Sequence, residues 1–440
     1  MLRPVSYVPV VTVVALMGFA VLVHGQCSTD DELECYIALI NMTSDGFVRL
    51  QRIFATTSYP GYTVQRLIVA NSASGAFLQR IGQLSKSIIY IQYNEQVFLL
   101  PEGNELTYVI ITNAPTLRFF IAGRNDQLES LRIENSLLNV IPSTLAQLTQ
   151  LQLLQINRSP LALLPLDTLA KNPSLLYVEL LENRIAKIIP PTDPGAVLSV
   201  QQLSLSSNWI VHLDLGVFER AKNLNFLDLR NNRLLTITTK VSLPKLSSLF
   251  LDGNRLSSFD LPSLQTPLLH TLSLSANNFT EMLSQWEDKS ELRYVSFDTN
   301  RIRTFDFATV RPLKKLASIS LTENMIQTVF ASPPVVELPL LQGIYLSGNA
   351  LDKFNVNGTE LPKVSWITLD KNRLTIVPPV FRKYPNVSLS LINNPIRCAS
   401  LEQYRDKLNA YRITVDVAWH DYICPSLSFK LLDIDICCVG

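Results

Sequence analysis

Apolar residues return along this chain in a fixed pattern from about residue 175 to residue 394. In one copy they stand at Leu224, Leu227, Leu229 and Leu234, and Asn232 lies between the last two. The next copy begins at Leu246 and keeps the same spacing. The alternation of apolar and other residues in each copy predicts a short strand with one buried face.

An asparagine occupies the same slot in ten successive copies, 22 to 25 residues apart, at Asn183, Asn208, Asn232, Asn254, Asn277, Asn300, Asn324, Asn349, Asn372 and Asn394. This is the pattern of leucine-rich repeats, whose period is about 20–29 residues. Because one repeat cannot bury its own leucines, we predict that neighbouring repeats stack around a continuous core. The short amide side chain suits backbone groups inside the turn, so the stacked asparagines should form a ladder.

Weaker copies precede the regular ones. Two copies with serine in the asparagine slot begin at Leu128 and Leu151. Three degenerate copies are read as Ile88, Ile91, Tyr93, Gln96, Phe98; as Leu106, Val109, Ile111, Ala114; and as Val64, Leu67, Val69, Ser72. The sequence therefore predicts about fifteen repeats over residues 64–397, with one early repeat shortened between Gln96 and Ala114. The spacing leaves room for short helical or irregular segments on the convex side and not for long helices.

The segments on either side of the repeats, 26–63 and 398–440, are predicted to be caps, because the terminal repeats would otherwise expose their apolar faces. A capping-box spacing at Thr29 and Glu32 predicts a helix in the N-terminal cap. Ser400 and Gln403 predict a second helix, which runs on to Tyr411. The expected fold class is an α/β repeat solenoid, a leucine-rich-repeat horseshoe with helical, disulfide-bonded caps.

The first 25 residues read as a secretory signal peptide. Arg3 supplies a positive charge, and an apolar run from Val8 to Val23 follows it. A signal anchor is the alternative. No second long apolar stretch follows, so we predict no membrane span.

All six cysteines lie outside the repeats, at Cys27, Cys35, Cys398, Cys424, Cys437 and Cys438. An even number of cysteines in a secreted chain predicts disulfide bonds. A metal site is the rival interpretation, but no histidine lies at ligand spacing.

Five sequons mark candidate N-glycosylation sites at Asn41, Asn157, Asn278, Asn357 and Asn386. Several such motifs in a chain with a signal peptide predict a secreted glycoprotein. At Asn157 a glycan would project from the strand face and obstruct the N-terminal part of the concave surface.

Charge and composition narrow the class of function. Without residues 1–25 the chain loses Arg3 and no acid, so its 37 basic residues balance its 37 acidic ones. This balance argues against nucleic acid or an anionic membrane as the partner. No phosphate loop, nucleophile elbow or zinc-binding helix motif is present, so we expect neither an enzyme nor a cofactor.

The variable strand positions should face outward on the concave side. In register they include a series of aromatic and acidic residues, which are candidate protein-binding residues: Tyr177, Glu179, Phe226, Asp228, Phe250, Asp252, Tyr294, Asp298, Tyr345, Trp366 and Asp370. Tyr90 and Tyr108 extend the aromatic series in the early repeats. Aromatic side chains on a rigid curved sheet are effective binding anchors. The alternative is that aromatic residues stand there because they favour strands.

The end of the chain is the segment that distinguishes one family. Its sequence Asn-Pro-Ile-Arg-Cys at 394–398, the predicted helix, Cys424-Pro425 and the doublet Cys437-Cys438 resemble the cap of the mosquito leucine-rich-repeat immune proteins, the LRIM family. In that family a signal peptide, repeats and a double-cysteine cap occur in this order. Long members continue into a coiled coil, whereas only two residues follow the doublet here, so the chain resembles a coil-less member.

The resemblance implies a secreted, non-enzymatic recognition or scaffold protein of insect innate immunity, present in haemolymph. It implies protein partners, of which a complement-like thioester protein and another leucine-rich-repeat protein are examples. The alternative is an extracellular adhesion or receptor–ligand protein of development or the nervous system. A third hypothesis is an inhibitor that wraps a secreted hydrolase in its concave face.

The cysteine pairing has two open arrangements. Cys27 should pair with Cys35, and a bond between Cys437 and Cys438 would strain the intervening peptide. In a closed cap the doublet bonds to Cys398 and Cys424, and the chain is a monomer. In the rival, which linked complexes in the LRIM family suggest, Cys398 bonds Cys424 and a doublet thiol makes a disulfide-linked dimer. We favour the closed cap, because this chain has no coiled coil to hold a partner in register.

Overall fold

Each repeat contributes one short parallel strand to a single sheet. The computed structural model describes residues 34–41, 52, 61–68, 73–83, 86–286, 288–417, 424–431 and 434–440. Within this part of the chain the main sheet has 17 strands. They are Glu34–Asn41, Gly61–Ile68, Ser87–Tyr93, Tyr108–Ile111, Ser130–Glu134, Leu153–Asn157, Tyr177–Glu179, Gln202–Ser204, Phe226–Asp228, Ser248–Phe250, Thr271–Ser273, Tyr294–Ser296, Ser318–Ser320, Gly343–Tyr345, Trp366–Thr368, Ser388–Ser390 and Ile413–Thr414.

The strands pair with their sequence neighbours in one register, so equivalent positions of all repeats line up. Leu227, for example, lies opposite Leu203 on one side and Leu249 on the other. These leucines are buried in one continuous core cluster that runs through the whole described solenoid. The predicted leucine-rich-repeat solenoid is confirmed.

The predicted asparagine ladder is present and joins each repeat to the one before it. The Asn254 amide donates from Nδ2 to the carbonyl oxygens of Leu229, at 3.0 Å, and of Leu251, at 2.9 Å. Its Oδ1 accepts from the amide of Leu234 at 3.0 Å. Equivalent bonds recur at all ten asparagine positions, from Asn183 to Asn394. Each side chain therefore satisfies the buried backbone groups of two repeats at once.

The residue before each asparagine has a positive φ, which turns the chain out of the strand. Glu182, Asn231 and Lys371 adopt φ values of 53°, 54° and 52°, and glycine fills the slot at Gly253 and Gly348. A side chain in this conformation is disfavoured. At Gly253 a Cβ would also lie only 2.3 Å from Oδ1 of Asn231, so any other residue there would have to displace the Asn231 side chain.

The outer side of the repeats consists of short elements, as expected. Parallel pairs form between Val97–Leu100 and Phe119–Ala122, Leu163–Pro165 and Lys187–Ile189, His212–Asp214 and Thr236–Thr238, Val241–Ser242 and Leu264–Gln265, Thr304–Asp306 and Thr328–Phe330, and Val336–Glu337 and Thr359–Glu360. Single 3-10 turns occur at Ser143–Gln147, Leu215–Phe218, Phe307–Val310 and Pro379–Arg382. Among the described residues the helices are Ala73–Gly82, Leu166–Ala170, Cys398–Glu402 and Arg405–Asn409.

The helix predicted in the N-terminal cap is wrong where the structure describes that segment. Residues Glu34–Asn41 form a strand, which pairs in parallel with Gly61–Ile68 and extends the main sheet. Cys35 and Ile37 are buried. Apolar residues at 33, 36, 37 and 40 fit a helical period, but the open edge of the first repeat offers backbone partners that only a strand can use. Cys35 is disulfide-bonded, whereas Cys27 and the signal segment lie outside the described residues.

The register of the early repeats also needs correction. Ile88 pairs with Val109, and Tyr90 pairs with Ile111, so Tyr90 points into the core and is fully buried. It packs edge-on against Phe98 with ring centroids 5.8 Å apart. The proposed short repeat disappears, because Tyr93 and not Gln96 stands in the slot equivalent to Ala114. Aromatic residues in core positions concealed the leucine pattern.

The C-terminal cap is closed by two disulfides. Cys398 bonds Cys438, and Cys424 bonds Cys437. The arrangement favoured from the sequence is confirmed, and the Cys398–Cys424 rival is wrong. An antiparallel hairpin of Leu427–Leu431 and Ile434–Cys438 presents the doublet.

The helix predicted from Ser400 to Tyr411 is divided into Cys398–Glu402 and Arg405–Asn409. The capping box is wrong as well. Ser400 lies inside the first of these helices, and its Oγ accepts from the amide of Val377 at 2.9 Å. The hydroxyl thus fixes the cap to the last repeats instead of starting a helix.

We predict that Asn254→Ala lowers the free energy of unfolding by about 2–4 kcal/mol, because it leaves buried backbone groups of two repeats without partners. Urea unfolding followed by circular dichroism measures the change. Asn223→Ala is the matched control, since Asn223 is exposed and accepts only from the Lys245 ammonium among the described contacts. Equal effects of the two substitutions would contradict a supporting role for the ladder.

We predict that the secreted protein runs as a monomer on non-reducing electrophoresis and reacts with no thiol reagent before denaturation and reduction. The closed cap leaves neither doublet sulfur for another chain. A dimer that dissociates on reduction would contradict this arrangement.

Candidate functional site

The concave face is formed by the outward residues of the main strands, and its composition changes along the solenoid. The central and C-terminal repeats carry many serine and threonine side chains, with aromatic residues standing between them. The N-terminal repeats carry charged residues. The acidic residues predicted as binding residues differ in their burial and in the hydrogen bonds that they make within the solenoid.

Three of the predicted acidic residues bind the next repeat. Oδ1 of Asp298 accepts from the Ser320 hydroxyl at 2.5 Å and from the Thr322 amide at 2.7 Å. Asp370 makes the same pair of bonds to Ser390 and Ile392, and Asp252 makes it to Ser273 and Ser275. All three are half-buried. The main role of these carboxylates is therefore to link neighbouring repeats.

Asp228 is buried, with 2% of its surface exposed, so its predicted place on an open surface is wrong. Its carboxylate accepts from the Arg230 guanidinium at 2.7 and 2.9 Å and from the Ser204 hydroxyl at 3.2 Å. The Arg230 guanidinium also covers the Phe250 ring, 5.2 Å from its centroid. Phe226 and Phe250 are half-buried and lie 5.4 Å apart, so the predicted pair does meet.

Tyr294 and Trp366 form the walls of an open cleft in the C-terminal half of the concave face. They are 52% and 42% exposed, and among the predicted aromatic residues only Tyr108 in the early repeats, at 44%, is similarly open. Across the sheet Tyr294 pairs with Ser318, Ser318 with Gly343, and Gly343 with Trp366. Three strand spacings of about 4.8 Å place the walls about 14 Å apart over a floor of the smallest side chains. We call these four residues the aromatic cleft.

Tyr345 completes the floor of the aromatic cleft. A Cβ on Gly343 would lie 2.7 Å from the Tyr345 ring, so the ring rests against the glycine. Glycine at 343 is thus what lets the ring lie flat along its own strand. This spacing suits an extended peptide that lies between the two rings.

The N-terminal part of the concave face holds a polar cluster around Glu179. The Gln155 amide donates to Glu134 at 2.9 Å, and Arg158 lies 3.8 Å from the same carboxylate. Burial raises the pKa of the Glu179 carboxyl, which the Arg132 charge opposes and the Glu134 charge supports. Tyr177, also predicted as a binding residue, is half-buried on the same strand.

The sequons differ in accessibility. Asn157 is only 7% exposed, and its Oδ1 accepts from the Leu181 amide at 2.8 Å, the same inter-repeat bond that Asp298 makes. Its side chain is therefore structural, which argues against a glycan there. Asn357 and Asn386 are exposed, and Asn278 is half-buried. The Asn41 side chain lies outside the described residues.

Sequence reasoning missed a stripe of exposed apolar residues on the lateral side of the early repeats. Phe119 is 57% exposed and stands beside Val97, with Ile121, Val140 and Leu163 along the same side. Contiguous exposed apolar surface is unusual unless it binds something. The signal is present in the sequence, because Val97, Phe119, Val140 and Leu163 stand four or five positions after the asparagine-equivalent slot of their repeats. The repeat pattern assigns these residues to the outer segments but does not show that they are exposed.

Among the described residues no group of three or more histidine, cysteine, aspartate or glutamate side chains is arranged to hold a metal ion. Nor does any helix in that part of the chain have the length and apolar character needed to cross a bilayer.

Comparisons with known proteins agree with the fold. The leucine rich repeat family model matches residues 199–256. Keratocan of Danio rerio is 26% identical over 58% of this chain and 75% of its own length. Podocan-like protein 1 of Mus musculus is 26% identical over 63% of this chain, and the match spans only 54% of that protein.

Solved structures give wider coverage at lower identity. The LRIM1/APL1C complex superposes with a TM-score of 0.60 and 16% identity over 94% of this chain and 70% of that chain. The APL1 leucine-rich-repeat domain gives 0.59 and 17% over 92% and 97%. At this identity the likeness shows the fold alone. The chain has the leucine-rich-repeat fold, and keratocan and podocan-like protein 1, which it matches in sequence, are not LRIM proteins.

We predict that Glu179→Gln makes the protein more stable at neutral pH. The folded-state pKa of this carboxyl is raised, so wild type loses stability as pH rises from the ordinary carboxyl pKa of about 4.3 through the raised value. The advantage of the variant in free energy of unfolding should therefore grow over that range and then level off. Urea unfolding between pH 4 and pH 8 measures it, with Glu105→Gln at an exposed ion pair as control. A constant difference at all pH values would contradict the interpretation.

Proposed function

We propose that this protein is an extracellular, non-enzymatic recognition protein that binds a protein partner in the aromatic cleft. The observation that carries the proposal is the pair of exposed aromatic walls, Tyr294 and Trp366, over a floor of serine and glycine. Tyrosine and tryptophan are enriched among residues that dominate binding energy. The sheet beneath them is held by the asparagine ladder and by the bonds of Asp298 and Asp370 to the next repeats, so the anchors are ordered before the partner arrives.

The disulfides of the C-terminal cap support an extracellular location, because such bonds persist in oxidising compartments. The signal peptide predicted from the sequence and the exposed sequons at Asn357 and Asn386 support secretion. The non-enzymatic part of the proposal rests on the absence of catalytic motifs from the sequence.

More specifically, we propose a role in insect innate immunity, in haemolymph, with a complement-like thioester protein or another leucine-rich-repeat protein as partner. It is supported by the resemblance of the double-cysteine cap and is compatible with the fold shared with the LRIM1/APL1C complex. The closed cap makes a non-covalent partner the expected one.

The alternative is an adhesion or receptor–ligand protein. It is favoured by the sequence matches to keratocan and podocan-like protein 1, and by a 39% identical match over 95 residues to the transforming growth factor beta activator LRRC32 of Mus musculus. That last match covers 20% of this chain. A partner recovered from matrix or from cell surfaces would favour this class, and a complement-like partner from haemolymph would favour the first.

We predict that Tyr294→Ala and Trp366→Ala each weaken binding by roughly 1–4 kcal/mol, since each removes an exposed anchor without touching the core. The measurement is affinity capture from haemolymph, followed by mass spectrometry and titration with the recovered protein. Phe330→Ala is the matched control, because Phe330 is an aromatic residue of similar exposure, 43%, on the lateral side.

A second candidate surface is the apolar lateral stripe. Phe119→Ser and Ile121→Ser test it in the same assay. Loss of capture in these variants with full capture by Tyr294→Ala and Trp366→Ala would overturn the cleft in favour of the stripe. Equal capture by all variants would overturn both.

A further inference from the structure

A row of arginines runs along one edge of the solenoid, outside the concave face. The position directly after the ladder asparagine is Arg184, Trp209, Arg233 and Arg255 in four successive repeats. All four side chains are exposed. Their backbone amides donate to the preceding repeats at Leu161, Ile185, Ile210 and Leu234, so the row is fixed in position by the same turn that holds the ladder.

Trp209 stands between two guanidinium groups. The Arg233 guanidinium lies 4.7 Å from the Trp209 ring centroid, and that of Arg184 lies 5.6 Å away. The ring nevertheless keeps 41% of its surface exposed. An aromatic face flanked by planar cations presents both a stacking surface and charge to one ligand.

Within the described chain no carboxylate neutralises the arginines of the row. No ion pair there involves Arg184, Arg233 or Arg255. In these repeats the residue before each ladder asparagine is acidic only at Glu182, which already pairs with Arg158 at 3.2 Å. Lys187, which lies exposed beyond Arg184, adds a further positive charge. A neutral chain thus carries a locally cationic edge.

The geometry favours a linear polyanion. Three repeat spacings of about 4.8 Å spread the charges over about 14 Å in a line one residue wide. Such a line suits a polymer with repeated anionic groups better than a compact anion. Guanidinium groups bind the oxygens of sulfate-like anions with two parallel hydrogen bonds, and the exposed Trp209 face can stack on a sugar ring.

We propose that Arg184, Trp209, Arg233 and Arg255 form a binding site for a linear sulfated glycosaminoglycan. The site is separate from the aromatic cleft, so a protein and a glycan can be held at once. The next position in the row is Asn278, a half-buried sequon, and a glycan there would end the row at Arg255.

The test uses the full secreted chain and a fluorescent heparin oligosaccharide, with binding measured by anisotropy at several salt concentrations. The triple variant Arg184→Gln, Arg233→Gln, Arg255→Gln should raise Kd about tenfold or more. It should also reduce the slope of log Kd against log salt by about two to three, one for each lost anion contact. Trp209→Ala should raise Kd several-fold and leave the slope unchanged, because it removes stacking and no charge.

The matched control is the triple variant Lys222→Gln, Lys240→Gln, Lys363→Gln, which changes net charge equally at exposed lysines elsewhere. It should keep wild-type affinity, and the desulfated oligosaccharide should not bind. Equal losses in the two triple variants, or binding independent of sulfation, would overturn the site. So would binding to anionic phospholipid vesicles without binding to the oligosaccharide. Capture of a protein partner by the arginine variant should be unchanged, which separates this test from that of the cleft.

Discussion

The fold depends on how a tight turn inside a stacked structure satisfies its backbone hydrogen bonds. Each repeat leaves its strand through a residue with positive φ, and this turn buries amide and carbonyl groups that no strand can pair. A buried backbone group without a partner costs about 1–3 kcal/mol. The asparagine side chain supplies both a donor and an acceptor at that point and joins two repeats with them. The ten asparagines form a continuous ladder, which fixes the spacing between repeats and so the spacing between equivalent residues on every surface.

A second row of inter-repeat hydrogen bonds lies on the concave face. It explains why fewer polar groups there are available to a ligand than the sequence suggests. Asp252, Asp298 and Asp370, and Asn157 in the same slot, each accept from a backbone amide of the next repeat. These polar residues stand on the strand face, yet their hydrogen-bonding capacity is largely used within the solenoid. The groups that we propose for recognition on this face are therefore aromatic, in the cleft between Tyr294 and Trp366. On the edge the proposed groups are the row of arginines, which have no carboxylate partner within the described chain.

The regular repeats could be predicted from sequence because leucine and asparagine there have one role each. The degenerate repeats could not be placed as well. The pattern puts Tyr90 on the surface whereas it lies in the core, because an aromatic residue suits a core position and an exposed strand equally. In the N-terminal cap the helical spacing of apolar residues was overridden by the open edge of the sheet, which Glu34–Asn41 extends as a strand.

The sequence by itself determined the solenoid, the asparagine ladder, the terminal position of the cysteines and the strand-face placement of the aromatic residues in the regular repeats. These are consequences of a period, and a period is local information repeated. Only the tertiary structure decided which side chains are free. The Asn157 side chain bonds Leu181 and the Asp228 carboxylate bonds Ser204, each 24 residues away, although Arg230, two residues on, also bonds Asp228. The disulfides of the cap join cysteines 13 and 40 residues apart. The exposure of Phe119 likewise depends on the neighbouring repeats. In a stacked fold each residue meets its contacts in the adjacent repeats, so a repeat read alone reveals its position but not its surroundings.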